Sequence, residues 1–253
     1  MKKIILNLAY IISLLWRFIP SNLRVNIVTG LMILDSRNKD PKKGIINLFN
    51  IKDKLDWIIN ERALAIGDGE HPKHYLMNYH KFFVDRIKNG ERVLDIGCGY
   101  GSVAYSIAKF HKKSDVLGVD MDDTRLKQAR ESNKLSNLNF FKGDATKDLP
   151  FGGWDVVVLS NVLEHIEKRG LFLKKIIEKT RAKTFLIRVP LFERDWQIPL
   201  RKELNINYYN DADHKIEHTV LEFQNEMKNV NLTILELHTK WGEIWACCSA
   251  RPS

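Results

Sequence analysis

The strand-like run Arg92-Val93-Leu94-Asp95-Ile96 empties into Gly97-Cys98-Gly99-Tyr100-Gly101. Glycines at a strand-to-helix turn allow positive φ and let a ligand approach the backbone closely. An acid, Asp120, ends the next strand-like run, 19 residues after Gly101. A carboxylate there is placed to accept hydrogen bonds from both ribose hydroxyls of a nucleoside. The dinucleotide fingerprint G-x-G-x-x-G needs a third glycine where this chain has Ser102. Asp95, just before the loop, would repel a pyrophosphate and attract an ammonium or sulfonium cation. A nicotinamide dinucleotide and a cationic nucleoside cofactor are both open at this point. Two histidine regions could supply a general base: His165, at the start of the expected helix after the fourth strand-like run, and His214, within 211–219. His214 and His218 are four apart and would share a face only in a helix. The segment lacks a wider ligand pattern, so no metal is expected.

The elements that must position these residues alternate from about residue 90. Strands are expected at 92–96, 115–120, 138–141, 155–159 and 184–189, with two more near 232–238 and 243–249. Helices are expected at 102–111, 122–134, from the fourth strand to about 179, and at 219–229. Asp122 and Asp123 are placed to cap the second of these. Such alternation builds a mainly parallel sheet with helices on both faces, and ligands bind where the strand order reverses. The last two strands are close enough to form a hairpin through Thr239-Lys240-Trp241-Gly242.

The chain has 253 residues, 44% of them hydrophobic and 28% charged, the profile of a globular protein. Three cysteines, two of them the neighbours Cys247 and Cys248, are too few for a disulfide scaffold and fit a reducing, cytoplasmic setting. The net charge is +9, and residues 1–62 carry +6 of it. Residues 4–19 are apolar but are interrupted by Asn7, Ser13 and Arg17, so a transmembrane span is not expected. No small-residue cleavage site follows them. Lys3, Asn7, Tyr10 and Arg17 fall near one face at helical spacing, which suits a helix lying on a membrane surface, on the protein itself or on a twin subunit. The expected division is a basic helical extension, 1–62, and an α/β domain, 63–253.

With Gly97 to Gly101 come further motifs in order: Gly118-Val119-Asp120, Gly143-Asp144-Ala145, and 154–166 from Trp154 through Ser160-Asn161-Val162-Leu163-Glu164-His165-Ile166. Together they resemble the class I S-adenosylmethionine-dependent methyltransferases, over roughly 90–250. The resemblance implies a Rossmann-like three-layer sandwich with a seven-stranded, mostly parallel sheet and an antiparallel last strand. It implies S-adenosylmethionine as cofactor. Gly97 and Gly99 would then pass close to its methionine part, and Asp95 would sit near its ammonium. Asp120 would bind the ribose, and Met121 would pack on the adenine. Asp144 would accept from the adenine amino group, the Ala145 N–H would donate to a ring nitrogen, and Ser160 would offer its carbonyl to the ammonium. Related enzymes use the region before the first strand as a lid, which makes Tyr79 and His80 candidates for cofactor contact.

Methyl transfer is an in-line displacement at carbon, and alignment supplies most of the catalysis. A hydroxyl acceptor, the favoured type, also needs a base, and His165 and His214 are the candidates. The insertion 190–204 should overhang the sheet and shape the acceptor pocket, where Arg194 or Arg201 could hold an anion. The expected acceptor is small, or linked to a glycan or lipid. A nicotinamide-dependent oxidoreductase and a non-catalytic cofactor-binding module are the alternatives. A nucleic-acid partner is not expected, because Leu159-Ser160-Asn161-Val162 is not the Asn/Asp-Pro-Pro-aromatic type of base-modifying enzymes.

Overall fold

A computed structural model describes residues 12–67, 71–147, 149 and 152–250. The chain divides into two compact units, 1–72 and 73–253.

In the first unit, α1 (Ser21–Ser36) and α2 (Pro41–Ile66) form a helical hairpin. The Asp40 side chain caps α2 by accepting from the Lys42 N–H at 2.9 Å, and Pro41 takes the first helical turn, where no N–H is needed. Gly44 is buried against the Ser36 carbonyl, so a side chain there would force the two helices apart. Leu15, Phe18, Val25, Leu31, Leu34, Trp57 and Ile66 remain exposed. The expected surface helix over 4–19 lies outside the described residues as far as residue 11, and so do Lys3, Asn7 and Tyr10; residues 12–16 are helical. Among the described residues no helix is long and apolar enough to cross a membrane.

The second unit is a seven-stranded sheet: β1 (Arg92–Ile96), β2 (Asp115–Asp120), β3 (Leu138–Lys142), β4 (Val156–Ser160), β5 (Thr184–Pro190), β6 (Leu232–Lys240) and β7 (Glu243–Ala250). The strand order is β3-β2-β1-β4-β5-β7-β6, and β7 runs antiparallel to both its neighbours. Two short helices, α3 (Lys73–Met77) and α4 (Tyr79–Val84), precede the sheet. Then come α5 (Ser102–Phe110), α6 (Asp123–Ser132), α7 (Arg169–Thr180), α8 (Gln197–Glu203) and α9 (Val220–Asn229).

Successive side chains of a strand point to opposite faces, and the core follows that rule. Val93, Val158 and Leu186 join Phe83, Ala104 and Ile107 in one layer. Leu94, Ile96, Leu159, Phe185 and Ile187 join Phe172, Leu173, Ile176, Phe223 and Met227 in the other. Both faces are covered, so the central strands are continuous apolar runs instead of alternating ones. The expected Rossmann-like three-layer sandwich is present. Order reverses at β1, which sits between β2 and β4. The clefts beyond Ile96, Asp120 and Ser160 are therefore the place for a ligand.

Local signals explain the ends. Asp122 caps α6 by accepting from the N–H groups of Thr124 and Arg125. A reciprocal Thr219–Glu222 capping box starts α9. Trp241 and Gly242, both at positive φ, turn β6 into β7. One expectation fails. The chain after β4 is not helical throughout: a 3-10 turn, Leu163–His165, is followed by extended Ile166, and α7 begins only at Arg169. His165 therefore stands in a tight turn instead of on a helix.

Gly118 in β2 faces Phe140 of β3 and the Cys98 thiol, and a Cβ there would fall 2.8 Å from each. Gly118→Ala should destabilise the domain by about 1–3 kcal/mol, the usual penalty of overpacking. Urea unfolding measures it, and a second substitution, Phe140→Leu, should recover part of the loss.

Candidate active site

The end of β2 organises the site. The Val119 carbonyl accepts from the Gly97 N–H at 2.7 Å and the Cys98 N–H at 3.1 Å. Asp120 Oδ2 accepts from the Gly99 N–H at 2.8 Å, and its Oδ1 accepts from the Asp122 N–H at 2.9 Å. The Asp120 carbonyl accepts from the Gly143 N–H at 3.0 Å. Three loops thus meet at one strand tip. Gly97 has φ +70°, and a Cβ there would lie 2.7 Å from Val162 Cγ2. Only glycine brings the first loop this close to the turn after β4.

A cavity of about 340 Å³ opens above these loops. Gly97, Asp120, Met121, Asp144, Ala145 and His165 line it, so six of the residues expected from sequence share one wall system. Asp144 also accepts from the Thr146 N–H at 2.9 Å and hydroxyl at 2.6 Å, and lies 3.1 Å from Lys147 Nζ. Those Thr146 bonds and Lys147 hold its carboxyl below the usual range. Met121 is exposed at the rim.

Other expected residues stand outside the lining. Asp95 lies beneath the glycine loop, 1% exposed, with Oδ2 unpartnered. Burial pushes its carboxyl up to about 7, with a further contribution from the Asp120 charge. Gly99 is in the loop but faces open space, and Ser160 is the last residue of β4, paired with Arg188. Its neighbour Asn161 takes the lining position, at φ +57° and with a buried, unpartnered Oδ1. Asparagine tolerates that left-handed conformation, a sequence signal that was open to use. Tyr79 is buried, with the Arg188 guanidinium 3.8 Å from its ring centre, and His74 Nδ1 lies 2.9 Å from its hydroxyl. His80 Nδ1 lies 2.8 Å from Ser106 Oγ.

The two candidate bases converge. The ring centres of His165 and His214 are 4.8 Å apart, edge to face. Asp213 Oδ2 lies 3.1 Å from His165 Nδ1, and Glu217 Oε1 lies 3.3 Å from His214 Nδ1. Burial keeps the His165 pKa below its ordinary value. Burial opposes charge on His214 too, but the Glu217 bond and the surrounding carboxylates outweigh it and raise its pKa. Glu164, which sequence reasoning passed over, is fully buried in the turn Leu163–His165. Neither of its carboxylate oxygens has a hydrogen-bond partner, and burial pushes it up to about 8. An acid inside the apolar run Val162-Leu163-Glu164 was its one sequence signal. His218 does not join His214: the segment between them is not helical, and its Nε2 lies 2.7 Å from Glu226. Arg194 is spent on the Leu191 and Tyr208 carbonyls and on Glu217, and Arg201 donates to the Asn207 carbonyl at 3.0 Å.

A mainly parallel sheet with a glycine loop at its reversal, an acid at the second strand tip and a cavity joining them defines the class I S-adenosylmethionine-dependent methyltransferases. Residues 87–241 match the family described as Methyltransferase domain, and the chain belongs to that family. It is 31% identical over 163 residues to ribosomal protein L11 methyltransferase of Caldanaerobacter subterraneus subsp. tengcongensis, covering 56% of this chain and 52% of that one. It is 31% identical over 102 residues to (S)-tetrahydroprotoberberine N-methyltransferase of Eschscholzia californica, covering 38% and 29%. The chain thus spans about half, or less, of these relatives' length. Among solved structures, magnesium protoporphyrin IX methyltransferase from Synechocystis with bound SAH superposes with TM-score 0.55 at 15% identity, over 70% of this chain and 82% of that one. A chain of the Haloferax volcanii Trm112 activator–methyltransferase complex gives 0.59 at 16%, over 77% and 96%. At these identities the structural likeness establishes the fold.

S-adenosylmethionine is the cofactor of this family, and the residues present suit it. The cavity is within the range of about 300–1,000 Å³ usual for small ligands. The Asp120 carboxylate keeps lone pairs beyond the two it uses. Asp95 Oδ2 and Asn161 Oδ1 are buried acceptors without partners, the complement of a cationic ligand.

Burial lowers the His80 pKa from 6.5 to about 4. A base whose pKa falls on folding binds fewer protons folded than unfolded between those values. The stability it contributes is complete above pH 6.5 and is lost as pH falls toward 4. The urea midpoint should therefore drop across that window, and His80→Gln, which can keep the Ser106 contact, should flatten the drop.

Proposed function

We propose that this chain transfers the methyl group of S-adenosylmethionine to a hydroxyl of a small acceptor, or of one linked to a glycan or lipid. The observation that carries this reading is a single cavity lined at once by Asp120, Ala145 and His165. A nucleoside grip and an imidazole thus share one space.

The bound cofactor supplies a methyl group on a positively charged sulfur, already activated toward a nucleophile. The chain's residues do the rest. Asp120 accepts from the ribose hydroxyls while keeping the Gly99 N–H in place. Asp144 and the Ala145 N–H address the adenine, with Met121 over it. Gly97 and Gly99 bring backbone close to the methionine part, and Asp95, with the Ser160 carbonyl, offsets its ammonium. Tyr79 and His80 support that end from outside the cavity lining. His165 is neutral at neutral pH because burial lowers its pKa, so it can take the acceptor's proton. Asp213, 3.1 Å away, favours the imidazolium that results. His214 packs on His165 and orients it.

The names of the relatives include a protein methyltransferase and an N-methyltransferase. An amine acceptor would use the same cofactor grip and depend less on His165. Residues 63–253 constitute the methyltransferase domain on this reading. Residues 1–62 form a basic extension whose exposed Leu15, Phe18, Leu31 and Leu34 suit either the surface of an anionic membrane or a second copy of the chain. The protein would then be cytoplasmic and peripheral to the membrane, with no nucleic-acid partner.

Asp120→Ala should weaken S-adenosylhomocysteine binding by about 10–100-fold, the loss of hydrogen bonds to a charged acceptor. Calorimetry on a variant shown to be folded measures this; full affinity, or binding of NADH in place of S-adenosylhomocysteine, would reject the assignment. His165→Ala should keep S-adenosylhomocysteine affinity but cut turnover on a hydroxyl acceptor by roughly 10²–10⁴-fold. Deleting residues 1–20 should abolish sedimentation with phosphatidylserine vesicles; retention by the shortened chain counts against membrane contact.

A further inference from the structure

Glu164 is 0% exposed, and both its carboxylate oxygens lack a hydrogen-bond partner. A bare carboxylate removed from water costs several kcal/mol, so folds retain one only where a cation or a proton completes it. Two imidazoles stand close to it, and the charges of Arg188 and Glu243 also reach it. One ligand atom from each of Glu164, His165 and His214 lies within 4.8 Å of the other two.

The backbone builds this cluster deliberately. The turn Leu163–His165 places Glu164 and His165 side by side in sequence. The Lys215 N–H donates to the Glu164 carbonyl at 2.7 Å, which pins the loop carrying His214 against that turn. His214 turns Nδ1 toward a carboxylate, Glu217 at 3.3 Å, and Asp213 Oδ2 lies 3.1 Å from His165 Nδ1 without forming a hydrogen bond. Glu217 is held in turn by the Arg194 guanidinium and the Asn210 N–H. The carboxylate on His214 Nδ1 favours the N–H there and leaves Nε2 as the lone-pair donor. That is the usual outer support of a metal-binding histidine.

We propose that Glu164, His165 and His214 bind one divalent transition-metal cation at the acceptor end of the cavity, where it holds the acceptor's oxygen. This deepens the function proposed above and rests on it for the acceptor, but the binding of the ion does not. Two imidazoles and one carboxylate suit Zn²⁺, Mn²⁺ or Co²⁺; Mg²⁺ and Ca²⁺ prefer all-oxygen shells. An ion with bonds of about 2.1 Å would draw its ligands to about 3.4 Å from one another, a modest closing of the observed cluster. Three protein ligands leave coordination positions open, and His165 belongs to the cavity wall. A hydroxyl bound there becomes more acidic and loses its proton to water or to Asp213, leaving an alkoxide as nucleophile. His165 is then a ligand, and the ion does the work assigned above to a base. Asp213, which clusters with Asp211 and His214, can support the shell from the exposed side.

The full chain, stripped with chelator and dialysed, should take up Zn²⁺ in calorimetry and Mn²⁺ in electron paramagnetic resonance at one ion per chain. Zn²⁺ should also raise its melting temperature. Glu164→Gln and His214→Ala should each weaken binding at least 10-fold, whereas His238→Ala, at an exposed histidine, should leave it unchanged. Glu164→Gln should be about as stable as the stripped wild type, since the amide keeps the shape of the buried acid and cannot ionise. Asp120→Ala should lose S-adenosylhomocysteine affinity and keep the ion. Absence of uptake at 1 mM of Zn²⁺, Mn²⁺ and Co²⁺ by folded protein overturns the proposal, as does uptake that survives both ligand substitutions. Ion uptake without S-adenosylhomocysteine binding would sink the methyltransferase reading alone. S-adenosylhomocysteine binding and turnover that persist in chelator would sink the metal and return His165 to the role of base.

Discussion

The carboxylate of Asp120 is the constraint on which the site depends. It is 8% exposed and holds two backbone N–H groups, one from the glycine loop and one from the start of α6. Hydrogen bonds to a charged group contribute about 1.5–3 kcal/mol each, enough to offset the burial of this acid. The strand tip it occupies also carries the carbonyls that bind Gly97, Cys98 and Gly143. Loops after three adjacent strands are therefore fixed to one point. On the reading proposed above, a nucleoside arriving there would meet donors and acceptors already in position, with little ordering left to be done on binding.

The polar groups around that point are treated differently, and the difference has a physical logic. Asp120 is satisfied by the protein; Asp95, Asn161 and Glu164 each retain a buried oxygen with no partner. A fold optimised for stability alone would replace such groups with apolar ones. Asn161 lines the cavity, while Asp95 lies beneath the glycine loop and Glu164 in the turn after β4, so the unsatisfied groups sit at or behind the cavity wall, where stability yields to recognition. Asp95 feels the charge of Asp120 as well as burial, so its proton is held to about pH 7. A ligand bringing positive charge relieves both effects at once, whereas a pyrophosphate would worsen them. On the reading proposed above, the acid beneath the glycine loop would favour a cofactor of positive charge.

What the sequence revealed and what it hid divide along the range of the interactions. Strands and caps follow from local pattern: the apolar runs at β1, β4 and β5, Asp122 at the start of α6, and Thr219 with Glu222 at α9. Gly97 and Asp120 were legible because a strand, a turn and an acid recur at a fixed spacing dictated by one βαβ unit. Asn161 was missed in favour of Ser160 because the exchange is a matter of one residue at a strand end. Ser160 still pairs with Arg188, and the left-handed turn begins only at Asn161. The helix expected through His165 failed because apolar spacing continues through Ile166 although its backbone is extended. The burial of Glu164 and the meeting of His165 with His214 were hidden altogether. They depend on a hydrogen bond between Lys215 and Glu164, about fifty residues apart, for which no local rule exists.

The same long-range contacts bear on what the acceptor can be. Leu191 bridges His218, and the Phe192 N–H donates to the His218 carbonyl at 2.8 Å, so the segment after β5 and the histidine loop form one wall. The arginines of that wall serve it internally. Arg194 holds two carbonyls and Glu217, and Arg201 is 7% exposed and donates to the Asn207 carbonyl. Their charge stiffens the wall and does not present itself to a ligand. The acidic side chains Asp211 and Asp213 instead line the cavity near His165, and Arg125 is the basic residue of that lining. An acceptor bearing phosphate or carboxylate would be repelled at this rim unless an ion stood between. On the reading proposed above, the wall therefore favours a neutral hydroxyl, and an anionic group on the acceptor is tolerated only far from the oxygen that reacts.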